Sequence, residues 1–169
     1  MTQPEGYTSV APWIVTDDTA ALLDFVTYAF GGKELLRVPL QDGTIGHAEI
    51  RIGDTILLAF DRMDGWPALP SLLRVWVPDT DAAMARAVEL GGRVVTEAST
   101  GPFGQRGGRV RDPLGNIWWV DTHIEDVDQE VAMARLAEPE YADQMRVAQE
   151  TLDRELSGIE RAVSPPVTG

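Results

Sequence analysis

Apolar positions follow the same order twice along this chain. Residues 9–15 alternate as a strand does, and the next apolar residues recur at helical spacing: Leu22, Phe25, Val26, Ala29 and Phe30. A glycine pair ends this predicted helix, and tight turns then separate three further predicted strands, at residues 34–40, 46–52 and 55–60. The pattern therefore predicts a β-α-β-β-β module over residues 1–60.

The second half of the chain repeats this order after a predicted linker at residues 61–71. A helix capped by Asp79 or Thr80 is expected between strands, which are predicted at residues 72–77, 93–97, 109–112 and 117–121. Corresponding landmarks of the two halves keep a nearly constant spacing, which is typical of an internal repeat. Residues 72–123 are therefore predicted to form a second module. Two such modules indicate an α+β fold, with a mixed eight-stranded, cup-shaped sheet and helices on its convex side.

Residues 124–169 depart from the repeat and predict a helical extension with a tail. Helices are expected at residues 126–137 and 140–156, because Pro139 separates two helical patterns. The second pattern carries an apolar stripe, formed by Tyr141, Met145, Ala148 and Leu152. Such a stripe predicts packing on the body of the protein or on a second copy of the chain. Residues 164–166 predict a flexible tail.

Charge and composition exclude several classes of function. The net charge is −13, and no stripe of lysine or arginine is visible, which argues against nucleic acid or an anionic membrane as partner. The absence of cysteine excludes disulfides, thiolate metal sites and a cysteine nucleophile. Residues 1–7 lack the features of a secretory signal, and no apolar run is long enough to cross a bilayer. A cytoplasmic protein is therefore expected.

Two motifs at corresponding hairpins extend the internal repeat. The first is Gly-His-Ala-Glu-Ile-Arg-Ile-Gly-Asp at residues 46–54, and the second runs from Phe103 through Asp112-Pro113-Leu114-Gly115-Asn116 to Trp118. With the duplicated module, they resemble the vicinal oxygen chelate superfamily, and in particular its glyoxalase/bleomycin-resistance branch. That superfamily also contains extradiol dioxygenases. The resemblance covers about residues 7–127 and implies the cup-shaped fold predicted above.

The resemblance also bears on metal binding. Metal-dependent members of the superfamily hold an ion with four His, Gln or Glu side chains that point into the cup. The corresponding positions in this sequence are Val10, Leu57, Leu72 and Trp119. None of these side chains carries a suitable ligand atom. The resemblance therefore implies a cup without metal or other cofactor, and it argues against glyoxalase I and extradiol dioxygenase activity.

Strand alternation predicts which side chains line the concave face of the cup. They are Val10, Pro12, Ile14, His47, Glu49, Arg51, Leu57, Ala59, Leu72, Arg74, Trp76, Ile117, Trp119 and Asp121. Such a mainly apolar surface with a few polar groups is typical of small-molecule sites. Trp76 and Trp119 offer flat faces for a planar ligand or a cation, or they are ordinary core or dimer-interface residues. Trp13 and Trp118 have the opposite parity and are predicted to pack against the helices.

The candidate catalytic residues are few. His47 and Glu49 share a strand face and could form an acid–base couple or a partial metal site, and Asp121 and His123 form a similar pair. The alternative for His47 is a simple hydrogen bond or an ion pair among His47, Glu49 and Arg51. The glycine-rich residues 101–108 lack the features of a phosphate-binding loop and predict a mobile loop at the rim of the cup.

Three hypotheses for function follow. The first is a metal-free, homodimeric protein that binds a small hydrophobic or planar ligand, such as a drug or natural product that it sequesters. The second is a lyase or isomerase that uses His47 and Glu49 on a carbonyl compound, or a metal held by non-standard ligands. The third is an interaction module whose acidic C-terminal helices dock a partner protein.

Overall fold

The computed structural model describes residues 3–157, and the predicted tail at 164–166 lies outside them. The first module contains β1 (Trp13–Thr16), α1 (Thr19–Phe30), β2 (Lys33–Pro39), β3 (Ile45–Ile52) and β4 (Thr55–Asp61). The second module contains β5 (Leu72–Trp76), α2 (Thr80–Glu89), β6 (Arg93–Thr100), β7 (Gln105–Arg111) and β8 (Ile117–His123). Helices α3 (Gln129–Leu136) and α4 (Pro139–Ser157) follow.

The strands have the same order in both modules. The first sheet runs β1-β4-β3-β2 and the second runs β5-β8-β7-β6. The pairs β1/β4 and β5/β8 are parallel, whereas the other neighbours are antiparallel. The α+β class and the two β-α-β-β-β modules are thus confirmed. Hydrogen bonding divides the eight strands into two sheets of four, so the cup is built from two sheets rather than one continuous sheet.

The two module helices begin in the same way because an aspartate caps each of them. Asp18 accepts a hydrogen bond from the Ala21 amide (2.9 Å), and Asp79 accepts one from the Ala82 amide (3.0 Å). Gly31 ends α1 in a left-handed conformation with φ 74°. No helix within residues 3–157 combines the length and the apolar character that a membrane span requires.

The main core lies between the sheets and the helices α1 and α2. Phe30 at the end of α1 packs against Trp118 of β8, with ring centroids 5.0 Å apart. Arg86 of α2 donates through Nη2 to the carbonyl oxygen of Ala29 at 3.1 Å. These contacts cross between the modules, so one continuous core holds the two halves together.

The side of the sheet that β1 and β4 residues face differs from the prediction. Ile14, Leu57 and Ala59 lie in the helix-side core, whereas Trp13 is half exposed and contacts His47 on the concave side. Val10 precedes β1 and is 80% exposed. The predicted placement of Ile14, Leu57 and Ala59 on the concave face, and of Trp13 against the helices, is therefore wrong, and Val10 lies outside the strand that was predicted to contain it. β4 is apolar at every position from 56 to 60, so its sequence could not indicate which residues α1 would cover.

The glycine-rich segment is also different from its prediction. Residues 105–111 form strand β7, and only residues 101–104 form a turn. Gly107 and Gly108 lie inside the strand because neighbouring side chains and backbone approach them closely: a Cβ on Gly107 would lie 1.8 Å from Asp121 Oδ1. Half of the predicted mobile loop, residues 105–108, is therefore part of a central strand of the second sheet.

Helix α4 packs on the concave side of the second sheet. The hydroxyls of Thr96 and Thr151 are 2.6 Å apart, and Arg109 donates to the carbonyl oxygen of Ala148 at 2.7 Å. Glu155 forms ion pairs with Arg93 and Arg111 of the sheet. We call this concave surface of the second sheet the covered face. The concave surface of the first sheet is the open face, and it includes Trp13, His47, Glu49, Leu58 and Phe60.

Candidate ligand-binding site

Aromatic rings and guanidinium groups alternate across the covered face. Arg74, Trp119 and Arg109 are direct neighbours on β5, β8 and β7. The Arg74 guanidinium lies 4.6 Å from the Trp76 ring centroid and 5.3 Å from that of Trp119, and the Arg109 guanidinium lies 4.0 Å from the Trp119 centroid. Each contact is within cation–π range. The result is a row of flat surfaces, Trp76, Arg74, Trp119 and Arg109.

Asp121 lies next to this row and is completely buried. Its Oδ2 accepts a hydrogen bond from Arg74 Nε at 2.5 Å, whereas Oδ1 has no hydrogen-bond partner. Burial raises the pKa of the Asp121 carboxyl, although Arg74 and Arg109 act in the opposite direction. The Arg74 side chain is 44% exposed, so the ion pair connects a buried carboxylate to the rim of the cup.

Two cavities are each lined by one member of the Arg74–Asp121 ion pair. We call the first the seam cavity, because it lies between the modules; it has a volume of about 180 Å³. Its lining is mainly apolar and includes Pro12, Leu57, Leu73, Val75, Trp76 and Trp118, with Arg74 at one wall. The second, which we call the polar cavity, lies beneath α4 and has a volume of about 50 Å³. Its lining includes Gly107, Arg109, Trp119, Asp121, Gln144 and Met145.

The open face carries the predicted acid–base pair. His47 Nε2 lies 3.0 Å from Glu49 Oε1. A hydrogen bond from the Tyr7 hydroxyl, and then the contact with His47, hold the pKa of the Glu49 carboxyl below its usual range. The Trp13 ring centroid lies 5.5 Å from that of His47 and 5.4 Å from that of Phe60. This arrangement can orient the His47 ring beside an ionised carboxylate.

The predicted ligand-binding residues are thus distributed over two faces. Leu72, Arg74, Trp76, Trp119 and Asp121 share the concave side of the second sheet, as the alternation predicted. His47 and Glu49 share the open face. Leu57 faces the helices but reaches the seam cavity, and Val10 lies outside β1. His123 pairs with Asp126 at 3.1 Å instead of with Asp121.

Several residues of the covered face were absent from the predicted set. Gly107 was assigned to a loop, and Arg109 was predicted to begin a strand but was not placed on the concave face, although the pairing of β7 with β8 places both beside Trp119 and Asp121. Extending β7 backwards through the glycines would have found them. Gln144 could not be found in this way, because the docking of α4 joins residues far apart in sequence.

The residues at the superfamily's metal positions do not fit a metal ion. On β4, the residues that face the concave side are Ile56 and Leu58 instead of Leu57, so these two are the candidates for the metal-ligand position. On β1, Trp13 takes the place of Val10. None of these side chains, nor Leu72 or Trp119, offers a metal ligand. Within residues 3–157 no group of three or more His, Cys, Asp or Glu side chains is arranged to hold an ion.

The protein is thus a duplicated β-α-β-β-β protein whose cup has an aromatic and cationic lining. Residues 7–120 match the model of the Glyoxalase/Bleomycin resistance protein/Dioxygenase superfamily. This match covers more than half of the chain, so the protein belongs to that superfamily.

Relatives and solved structures agree with this assignment. An uncharacterized protein of Mycobacterium bovis is 34% identical over 140 residues, covering 76% of this chain and 92% of the relative. TioX from Micromonospora sp. ML1 is 25% identical with a TM-score of 0.56, covering 72% of this chain and 100% of TioX. A lactoylglutathione lyase from Agrobacterium tumefaciens is 22% identical with a TM-score of 0.51, covering 72% and 96% of the two chains, which supports the fold alone. The matched region of the family model ends before α3 and α4 begin.

Proposed function

We propose that this protein binds a small hydrophobic or planar molecule in the seam cavity, without a metal, and that it sequesters this molecule. The main observation in support is the mainly apolar cavity of about 180 Å³ between the modules, with Trp76 and Arg74 in its lining. Trp76 is 54% exposed although its ring stacks on the Arg74 guanidinium, so this pair presents a flat face to a ligand. An aromatic wall with one oriented cation favours a planar ligand that carries a negative charge or a hydrogen-bond acceptor. We also propose a cytoplasmic homodimer, on the grounds of the superfamily resemblance and the composition.

The test uses 8-anilino-1-naphthalenesulfonate, a planar apolar anion, as the probe of the full-length protein. Saturable binding at the seam cavity is expected to change the fluorescence of the dye. Trp76→Ala should lower the affinity at least tenfold, because it removes the stacking surface. The matched control is Trp66→Ala, since Trp66 is 43% exposed but lies outside the seam cavity.

Equal affinities of the Trp76→Ala variant and the unchanged protein would contradict the seam cavity as the site. Native mass spectrometry of protein purified from its source would then identify any retained ligand directly. Chelation by EDTA is expected to leave dye binding unchanged, because the site uses no metal.

A second candidate function is acid–base catalysis on a carbonyl compound by His47 and Glu49. The observation in its favour is the contact of 3.0 Å between these side chains, with the Glu49 carboxylate kept ionised beside the half-exposed ring of Trp13. His47→Gln should abolish such turnover and leave dye binding unchanged. An activity that persists in this variant would exclude His47 as the base.

A further inference from the structure

The polar cavity collects buried polar atoms that have no hydrogen-bond partner. Among the residues that the structure describes, five buried side-chain atoms lack a partner, and three of them belong to this cavity: Arg109 Nε, Asp121 Oδ1 and Gln144 Oε1. Arg109 is 4% exposed and Asp121 is 0% exposed. Buried polar groups are normally hydrogen-bonded, so three unpartnered atoms in one cavity indicate that a polar guest satisfies them.

The surrounding residues hold these atoms in place. Arg109 donates through Nη1 to Thr96 Oγ1 at 3.1 Å and to the Ala148 carbonyl oxygen at 2.7 Å, and its guanidinium stacks on Trp119. Its Nε–H is thereby left for another acceptor. Arg74 fixes the other oxygen of the Asp121 carboxylate. The missing side chain of Gly107 leaves room for Asp121 Oδ1, because a Cβ there would lie only 1.8 Å away.

The charges around the cavity restrict the chemistry of the guest. A carboxylate would satisfy Arg109 but would place a negative charge against Asp121, and an ammonium group would place a positive charge against Arg109. A neutral group that carries an acceptor beside an N–H donor suits both residues. The Gln144 amide can present either its oxygen or its nitrogen, so it can complement either end of such a group.

We propose that the polar cavity is a binding site for a neutral primary amide or urea-type group. The carbonyl oxygen of this group accepts from Arg109 Nε–H, one N–H donates to Asp121 Oδ1, and Gln144 pairs with the remaining polar atom. A cavity of about 50 Å³ has room for a group of roughly four heavy atoms. Because Gln144 belongs to α4, which lies beyond the region matched by the superfamily model, this site is a feature of the C-terminal extension.

The test is an NMR titration of the full-length chain with acetamide, followed through the indole N–H of Trp119. A saturable shift is expected with acetamide. Acetate and N,N-dimethylacetamide are matched ligands that lack the N–H donors, and they should give no saturable shift. Gln144→Leu should weaken acetamide binding at least fivefold, whereas Gln149→Leu, on the exposed side of the same helix, should not change it.

Asp121→Asn is expected to weaken acetamide binding at least tenfold. If the Asp121→Asn variant does not fold, Gln144→Leu provides the test. Absence of a saturable acetamide shift would overturn the proposal, as would equal binding by the Gln144→Leu variant. Only ordered water in the cavity of a crystal soaked in acetamide would also overturn it. Dye binding in the seam cavity is measured on the same variants. It should survive Gln144→Leu and fail in Trp76→Ala, so failure of this proposal is distinguishable from failure of the proposed function.

Discussion

The covered face and the open face belong to sheets of the same strand order, but they differ in what lies against them. On the covered face, Arg109 and Thr96 contact α4 through hydrogen bonds, and ion pairs join the helix to the sheet at Glu155. On the open face, Trp13, Leu36 and Val38 are 48%, 44% and 41% exposed. On the covered face, α4 contacts β6 and β7, while Leu72 and Trp76 of β5 stay 52% and 54% exposed. The difference shows how two copies of one module diverge where an added helix covers only one of them.

The polar lining of the covered face has a physical consequence. A sheet face that carries arginines and a buried aspartate cannot be covered by an apolar helix without leaving charges unpaired. Helix α4 meets part of this requirement with the Ala148 carbonyl oxygen, Thr151 and Glu155, while its other acidic residues face outward, as in the Arg146–Glu150 pair. Part of the acidic C-terminal segment therefore holds α4 on the chain's own sheet. Docking of a partner protein, and the homodimer, stay predictions.

The hairpin turns of the two modules should differ most in their effect on stability. In the second module, the buried Asp112 carboxylate accepts from the amides of Leu114 and Asn116, from Asn116 Nδ2 and from Trp118 Nε1, at 2.8–3.0 Å. Asp112→Ala leaves these donors unpaired and should lower the free energy of unfolding by about 3 kcal/mol or more. Denaturant unfolding of the variant and the unchanged protein measures this loss.

The matched change in the first module is Asp54→Ala. Asp54 is exposed, and its carboxylate accepts a hydrogen bond from the hydroxyl of its neighbour Thr55. Its loss should change the free energy of unfolding by about 0.5 kcal/mol at most. Equal losses in the two variants would show that the turns are equivalent after all.

Most of the fold could be predicted from the sequence because each element of the repeat has local sequence signals. The caps at Asp18 and Asp79, the glycine after α1 and the alternation in β5 and β8 each depend on neighbouring residues. These signals predicted both modules and placed Trp119 and Asp121 on the concave side. They failed for β4, whose central positions are all apolar, and for β1, which is only four residues long.

The rest of the site could not be predicted because it depends on contacts between distant residues. Gly107 is a glycine because of Asp121, fourteen positions away, and not because the chain bends there. Gln144 reaches the cavity only when α4 docks. A glycine-rich segment is compatible with a flexible loop or with a crowded strand, and only the packing distinguishes them.

Glycine substitutions compare the crowding of the two sheets. Gly107→Ala forces the Asp121 carboxylate, and with it the Arg74 contact, to move, so we expect a loss of about 1–3 kcal/mol in the free energy of unfolding. Gly46→Ala in the first sheet meets only the exposed, flexible side chain of Leu40 at 2.8 Å. It should cost less than about 0.5 kcal/mol, because strands prefer alanine to glycine. Thermal unfolding of both variants tests this, and a larger loss in Gly46→Ala would contradict it.

The attachment of α4 should depend on one carboxylate. Glu155 is mostly buried between Arg93 and Arg111, which also hold its pKa low against the effect of burial. Glu155→Gln should cost about 1 kcal/mol, because both arginines are partly exposed to solvent. The loss should appear as faster amide hydrogen exchange in α4. Glu150→Gln, on the outer side of the helix, is the control and should leave the exchange unchanged; equal exchange in both variants would exclude a special role for Glu155.

The smallest expected effect concerns the open face and its response to pH. The Tyr7 hydroxyl and His47 lower the pKa of Glu49, so folding favours the ionised carboxylate. The resulting stabilisation is fully present above the ordinary glutamate pKa of about 4.3, and it is lost as the pH falls through the lowered value. Tyr7→Phe removes the larger cause and should move the Glu49 pKa upward, which an NMR titration of its carboxyl carbon measures. Tyr28→Phe, an exposed tyrosine on α1, should leave it unchanged. An unchanged Glu49 pKa in the Tyr7→Phe variant would contradict the role of Tyr7. The contact with His47 would then be the main cause of the lowered pKa, and His47→Gln should raise it.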